Sequence, residues 1–426
     1  MPAMVEFIPE TTRSWTTNLD GVPALTLRTS PTPDPHSLPV DHVLVKILSV
    51  SLNYKDAEII NGLFKHHKSS VAPPNLIPCA DSVGVVVAVG PTSTPTTQAS
   101  STSSPPKPKW SINDRVISVS YPLYLTGPAA PALLAAGVGS ATNGVLTTYR
   151  VFPSHGLVAC PPSLTTQPHL ACCLPIAGTT AWMGLHWWRP ISSSPELFVA
   201  GDRSSESLLL QGTGGVSMFG LLFAFAANFA HVILTSGSDE KLARAEELVA
   251  TAFPKSATKL STINYRSTPQ WHKRVLELTD NEGVDIIFEN GGGGSPSTNS
   301  TLRSFQCVKF GGIINSIGYV GGKTDILSPS SDSDTAKGAI DGGNDEIAQA
   351  MSTNINVHAL ARNFTLKGLL NGPRDRMEEM LRFVEYHKIK PVVDKVFSFD
   401  DARDALQYLW DGKHFGKVVI EVSPDA

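Results

Sequence analysis

From Pro175 onward the chain alternates two apolar patterns. Short unbroken apolar runs, "SLLLQ", "HVILTS", "STINY", "VDIIFENGG" and "GGIINSIGY", are separated by longer segments, among them "DEKLARAEELVA" and "PQWHKRVLELT", whose apolar positions recur every three or four residues. Unbroken runs bounded by turn residues predict strands buried on both faces, and the spaced segments predict amphipathic helices. A strand that follows a helix that follows a strand must cross over, so the pattern predicts an α/β fold with a doubly wound parallel sheet.

The pattern on either side is different. Residues 22–50 carry shorter β-branched and leucine-rich runs, "PALTLRT" and "DHVLVKILSVSLN", broken by proline-rich turns, and "DSVGVVVAVG" and "DRVISVS" continue them. These predict small twisted strands. Beyond "LKGLLNGPRDR", a helix "MEEMLRFVEYHK" and a strand-helix-strand ending, "PVVDKVFSFDDARDALQYLWDGKHFGKVVIEV", resume that style. The expected organisation is a first domain over 1–174, a second over 175–371 and a return to the first over 372–426. A Ser/Thr/Pro tract at 91–109, with little apolar surface to bury, is expected to be a surface loop within the first domain. The irregular stretches at 192–207 and 328–346 read the same way.

Composition narrows the partners. A chain of 426 residues is long enough for two cores. Its net charge of −4, with Lys and Arg scattered, gives no basic surface for nucleic acid. No charged start with an apolar core marks a secretory signal and no apolar run reaches membrane-spanning length, so a cytoplasmic protein with no membrane partner is expected. The five cysteines, Cys79, Cys160, Cys172, Cys173 and Cys307, are odd in number and lack CxxC pairs. That argues against a disulfide framework or a structural zinc knot and for buried thiols.

The strongest motif is Gly212-Thr213-Gly214-Gly215-Val216-Ser217, which follows an apolar strand and opens a long apolar helix. Glycines there let the backbone turn sharply and approach a pyrophosphate, whose charge is met by amide N–H groups and the helix dipole. Ser217 stands where a third glycine is expected, so the helix-strand packing must accommodate a hydroxymethyl group. The second strand ends in Thr235-Ser236-Gly237-Ser238, with no acid to grip a ribose 2'-hydroxyl and repel a 2'-phosphate. Lys241 stands three residues beyond, and Tyr265 after the next strand adds a phenolic donor. A surface lysine alone is commonly a solvated helix residue; with the acid missing, the set points to NADPH over NADH. Asn290 with Gly291 to Gly294, and Gly318-Tyr319, end two further strands. Strand carboxyl ends are where open α/β sheets bind ligands, so both loops are expected to border the nicotinamide half of the cofactor.

The segments "SLNYKDAEIINGLF", "LIPCADSVGVVVAVG", "LPIAGTTAWMGL", "LLLQGTGGVSMFG", "VILTSGSDEKLARA", "INYR", "GVDIIFENGGG", "IGYVGG" and "GKHFGKVVIEV", in this order from about residue 22 to 422, resemble the medium-chain dehydrogenase/reductase superfamily. The resemblance is to its zinc-independent quinone oxidoreductase and enoyl reductase branch. It implies a GroES-like catalytic domain formed from both chain ends around a Rossmann domain, and a homodimer joined through Rossmann-domain edges. It places the catalytic zinc positions of the alcohol dehydrogenase branch on Asn53, Ala80 and Pro175, none of which replaces a thiolate or imidazole at a tetrahedral site. Cys79 and Cys173 lie near these positions and leave a rearranged site as an alternative, and the cysteine-rich loop of the structural zinc is absent.

Hydride transfer from NADPH to an activated alkene, enone or quinone needs a donor near a carbonyl oxygen and a later proton. The resemblance puts Asn53, Tyr54, Lys55 and Asp56 at that place, with Tyr54 the first choice of donor. Lys55 alternatively supplies positive charge oriented by Asp56, and Asn53 and Asp56 alternatively do no more than cap the helix. Thr180 resembles the hydroxyl that faces the nicotinamide in related reductases. The expectation is an NADPH-dependent reductase of a small electrophile. Two alternatives stay open: a metal-free alcohol or carbonyl dehydrogenase, and an NADPH-binding protein without turnover.

Overall fold

A computed structural model describes residues 8–65, 71–93, 109–186, 203–293, 299–321 and 355–425. Most of the tract at 91–109, most of the stretch at 192–207, all of 328–346, and Gly294 lie outside the described residues. The chain divides into two units, one of Met1–Thr179, Gly214–Val216 and Asn371–Ala426, the other of Thr180–Thr213 and Ser217–Leu370.

The first unit begins with an antiparallel pair, β1 (Thr11–Thr16) and β2 (Thr26–Pro31). Its central strand is β3 (His42–Leu52), buried from Val43 to Leu52 as its apolar run requires. The antiparallel partner β4 (Asp81–Val89), then β5 (Arg115–Ser118), β6 (Tyr149–Pro153) and β7 (Leu157–Ala159), extend the sheet. Helix α1 (Tyr54–Ile60) starts directly after β3, with Asn53 as its N-cap.

In the second unit strands and helices alternate as the apolar pattern predicts: β8 (Ser207–Gln211), α2 (Gly215–Ala226), β9 (His231–Ser236), α3 (Asp239–Ala252), β10 (Lys259–Asn264), α4 (Trp271–Leu278), β11 (Val284–Glu289), α5 (Ser300–Cys307), β12 (Val308–Ser316) and β13 (Thr365–Gly368). The strands lie in the order β10-β9-β8-β11-β12-β13, and every adjacent pair is parallel. The order reverses between β8 and β11. Ligands in such sheets bind beyond the carboxyl ends of the strands at that reversal, which here means beyond Gln211 and Glu289. Leu209, Ile233, Ile287 and Ile314 from the strands pack with Trp271 and Phe305 from the helices to form this unit's core.

The last segment returns to the first unit as α6 (Arg374–His387), β14 (Val393–Ser398), α7 (Ala402–Trp410) and β15 (Lys417–Glu421). The sheet then reads β14-β15-β3-β4-β5-β7, with β6 paired to β3. Val45, Ile47, Leu52, Leu406 and Val418 are among its core residues. One register matters for the site: Val418 of β15 pairs with Leu52 of β3, which brings Lys417 level with the end of β3 and with Asn53. No helix among the described residues is long and apolar enough to cross a membrane.

Candidate functional site

In the first unit a buried polar cluster forms where β3 runs into α1. Asn53 is fully engaged. Its backbone N–H donates to Asp56 Oδ2 at 2.9 Å, so Asp56 does cap the helix, and its side-chain Nδ2 donates to Asp81 Oδ2 at 2.9 Å. Its Oδ1 accepts from Lys417 Nζ at 2.7 Å, and the same ammonium donates to the Leu52 carbonyl at 2.6 Å. The backbone N–H of Ile176 gives Asp81 Oδ2 a second donor at 3.2 Å. One oxygen of each carboxylate, Asp56 Oδ1 and Asp81 Oδ1, is buried without a hydrogen-bond partner.

These contacts shift the acids. Burial pushes Asp81 up to about 6, against the pull of Lys417 and the Asn53 amide; Asp56 is raised by burial more than Lys55 and its Asn53 bond lower it. Lys55 is partly exposed as a residue, yet its ammonium end is enclosed enough for burial to pull its pKa down. Tyr121, Asp56, Asp81 and Cys79 more than offset that, and its pKa stands above the ordinary lysine value. Lys55 Nζ lies 5.3 Å from the ring centroid of the buried Tyr121. Tyr54 is placed differently. Its ring stacks on Trp410 of α7 at 5.3 Å, its hydroxyl has no hydrogen-bond partner among the described residues, and burial and Glu58 raise its pKa. Asn53 and Asp56 share one hydrogen-bonded cluster, Lys55 joins it through charge, and Tyr54 stands apart on Trp410; among the described residues neither Lys55 nor Tyr54 makes a side-chain hydrogen bond with it.

The residues do not fit a tetrahedral zinc. Asn53 Oδ1 is already held by a cation, Ala80 offers no ligand, and the Ile176 N–H, beside Pro175, points at Asp81. Burial pushes the Cys79 thiol well up, and the Cys172 and Cys173 sulfurs both donate to the His169 carbonyl. Among the described residues no group of three or more His, Cys, Asp or Glu is arranged to hold a metal ion.

Most of the expected cofactor residues stand at or just after the carboxyl ends of the parallel strands; Gly214, Gly215 and Val216 group with the first unit, and Thr180 lies on a helix. Gly212 follows β8 with φ of 77°, a conformation that glycine adopts without strain. Gly214 has open space where a side chain would stand, and Gly215 and Val216 open α2. Ser217 is 1% exposed; its hydroxyl donates to the Gln211 carbonyl at 2.9 Å and accepts from Asn290 Nδ2 at 3.0 Å. Thr180 is buried on the helix Thr179–Leu185.

At the end of β9, Ser236 is buried and its hydroxyl accepts from the Ser238 N–H at 3.3 Å. Ser238 caps α3 by accepting from the Lys241 N–H, and Lys241 is half-buried in the first turn. A Cβ on Gly237 would lie 2.8 Å from the Tyr265 hydroxyl and 2.9 Å from Arg266 Nε. Serine hydroxyls, a phenol and a guanidinium therefore meet at one strand end, with Lys241 close in sequence. Asp239, at the start of α3, is occupied by Asn264 Nδ2 at 2.8 Å.

The loops after β11 and β12 lie together. Val320 N–H donates to Asn290 O and Gly321 N–H to Gly291 O. Gly292, with φ of 66°, is so near Tyr319 that a Cβ would sit 2.5 Å from its Cα, and one on Gly318 would sit 2.8 Å from Asn290 O. Beneath them Glu289 accepts from Gln211 Nε2, the Gly292 N–H and the hydroxyls of Ser300 and Ser304.

Gln211, Glu289, Arg266, Asp81, Tyr121 and Lys417 also belong to these surroundings and are not among the residues that the patterns along the chain single out. Arg266 adjoins Tyr265 and carries a readable signal, a basic residue at the end of a strand. Lys417 shows none, because its partners Leu52 and Asn53 are supplied by a strand at the other end of the chain.

Residues 39–162 match the family model described as alcohol dehydrogenase GroES-like domain, and residues 260–420 match that described as zinc-binding dehydrogenase. A zinc-type alcohol dehydrogenase-like protein of Schizosaccharomyces pombe is 32% identical over 391 residues, 91% of this chain and 93% of that protein. The crystal structure of a protein assigned as an alcohol dehydrogenase from Sinorhizobium meliloti 1021 covers 98% of this chain and 100% of its own, with TM-score 0.72 and 29% identity. A crotonyl-CoA carboxylase/reductase shares the fold, with TM-score 0.69 and 17% identity over 97% of this chain and 89% of its own. The chain belongs to the zinc-type alcohol dehydrogenase-like proteins of the medium-chain dehydrogenase/reductase superfamily, oxidoreductases that use a nicotinamide cofactor.

Proposed function

We propose that this protein is an NADPH-dependent reductase that works without zinc and delivers hydride to an alkene conjugated to a carbonyl, or to a quinone. The observation that carries the reading is the Lys417 ammonium bonded to Asn53 Oδ1, a fixed cation at a residue that the resemblance assigns to a metal ligand of the alcohol dehydrogenase branch. Without a Lewis acid, making an alkoxide from a simple alcohol near neutral pH is hard, whereas reduction of an activated alkene needs charge stabilisation at its carbonyl oxygen and then one proton, taken from solvent water, on the enolate carbon that hydride addition leaves.

When bound, the nicotinamide cofactor supplies the hydride. The chain's own residues do the rest. Lys55, a cation at neutral pH, donates a hydrogen bond to the substrate's carbonyl oxygen and stabilises the negative charge that grows there. Asp56 and Asp81 keep positive charge favourable in the cluster, and Asn53, held by Lys417 and Asp81, fixes the start of α1 from which Lys55 projects. Tyr54, stacked on Trp410, contributes an apolar wall in this reading. The preference for NADPH is supported by Ser236, Ser238, Tyr265 and Arg266, which offer donors and positive charge for a 2'-phosphate at the end of β9.

The test is product analysis with an enone and both cofactors after exhaustive chelation. The reading expects saturated ketone, NADPH favoured and activity unchanged by chelator. Allylic alcohol as the product would instead support carbonyl reduction, in keeping with the alcohol dehydrogenase names of the relatives. Activity lost with the chelator and restored by zinc would overturn the metal-free mechanism.

A further inference from the structure

Ser217 interrupts the glycine pattern, and its surroundings give the hydroxyl a task. At 1% exposure it is closed to a ligand, and its proton and one lone pair are already used, on the Gln211 carbonyl and on Asn290 Nδ2. Asn290 Nδ2 also donates to the Gln211 carbonyl at 3.0 Å. In return Gln211 Oε1 accepts from the backbone N–H groups of Asn290 at 3.2 Å and Gly291 at 3.3 Å. Gln211 Nε2 is anchored on Glu289 at 2.7 Å and on Ser304 Oγ at 2.9 Å. Three residues thus close a ring of hydrogen bonds across the reversal of strand order, joining the end of β8 to the end of β11. Glycine or alanine at position 217 would leave the Asn290 amide with the Gln211 carbonyl as its one remaining partner in the ring.

We propose that Ser217 is a positioning residue that latches the glycine turn after β8 to the Asn290 loop after β11, so that the pyrophosphate and nicotinamide halves of the cofactor are held in one register. Asn290 then acts through its bond to Ser217, its amide being committed inward. The inference rests on the cofactor reading above and adds to it a coupling between two loops. The residues that would hold the adenosine end of the cofactor, after β9 and β10, are not members of the ring.

That difference supplies the test. Calorimetric titration of the full chain with NADP⁺ and with 2',5'-ADP, which carries the adenosine half alone, is compared for wild type, Ser217→Ala, Ser217→Gly and Asn290→Ala. Loss of a buried hydrogen bond on which loop geometry depends is expected to weaken NADP⁺ about tenfold in each variant and 2',5'-ADP less than about twofold. The double variant Ser217→Ala/Asn290→Ala should weaken NADP⁺ no more than Asn290→Ala does, because both changes break one link. Equal weakening of both ligands, unchanged NADP⁺ affinity, or additive losses would overturn the latch while leaving the cofactor reading standing. A wild-type chain that binds neither ligand would overturn that reading, and the latch with it.

Discussion

Asp81 in the first unit and Glu289 in the second are both fully buried, and their surroundings are opposite. Glu289 accepts four donors, from Gln211, Gly292, Ser300 and Ser304, spread over both oxygens. Asp81 accepts two donors, both on Oδ2, and its Oδ1 has none. A saturated buried carboxylate holds backbone in place, here the loop after β11 and the first turns of α5. An undersaturated one costs free energy, and such costs are tolerated mainly where a site needs polar groups held ready. By that criterion the second unit's acid is part of the scaffold, and the first unit's is the one to test for a part in the proposed chemistry.

Removing the acids should separate the two roles. Glu289→Ala removes the carboxylate that four donors share, leaves the Gly292 N–H without its acceptor and returns the Gln211 amide and the two serine hydroxyls to weaker partners, and a loss of about 4 kcal/mol in stability is expected in urea unfolding. A loss under about 1 kcal/mol would mean that the network contributes little and that the contrast with Asp81 is false.

Asp81 should do the reverse, with a dependence on pH. Its folded pKa is raised from 3.8 to about 6, so the native state binds more protons than the unfolded chain across that window. Stability therefore falls as pH rises from about 4 through 6, by roughly 3 kcal/mol for this group once fully ionised. Asp81→Asn keeps an acceptor for the Asn53 amide and the Ile176 N–H and carries no charge. The difference in unfolding free energy between pH 5 and pH 8 should shrink in the variant relative to wild type. An identical pH dependence in both proteins would show that Asp81 does not titrate in that window.

The contrast explains which parts of the site were readable along the chain. The parallel sheet was legible because each central strand is an unbroken apolar run, and the glycine turn because its neighbours are a strand and a helix. Glu289 ends the run "VDIIFE" and reads there as the solvated end of a strand; the donors that bury it come from β8, the following loop and α5. Lys417 lies 364 residues from Asn53, and no local pattern anticipates the register that joins them. Tyr54 and Lys55 are adjacent at a helix start, where periodicity cannot say which side chain joins the polar cluster. The stacking of Tyr54 on Trp410, a residue of the last helix, decides it. Ser217 was visible as an irregularity, while its use depends on Asn290, 73 residues away.

That assignment makes the next contrast. Lys55→Met should lower kcat/KM for an enone about a hundredfold, the scale of losing a positioned acid, whereas Tyr54→Phe should change it less than about threefold. The reverse ranking would return the donor's role to the phenol. Rates measured from pH 6 to 9 sharpen the point, because the raised pKa of Lys55 keeps it protonated throughout and no loss of activity on its account is expected below pH 9.

The smallest effect is expected at the far end of the second unit, where the 2'-phosphate reading meets its own internal contrast. Arg266 and Tyr265 both approach Gly237, but one brings charge and the other only a hydroxyl. An exposed guanidinium facing a phosphate contributes about 1 to 2 kcal/mol, and a neutral donor about half that. Arg266→Ala should therefore narrow the ratio of kcat/KM for NADPH over NADH about tenfold, and Tyr265→Phe about threefold, with NADH kinetics nearly unchanged in both. Added salt should narrow the wild-type ratio as well, since charge at an exposed site is screened, and it should have little further effect in Arg266→Ala. If the ratio is indifferent to both substitutions and to salt, the residues around Gly237 do not read a phosphate, and the missing acid at the end of β9 reflects the strand's packing alone.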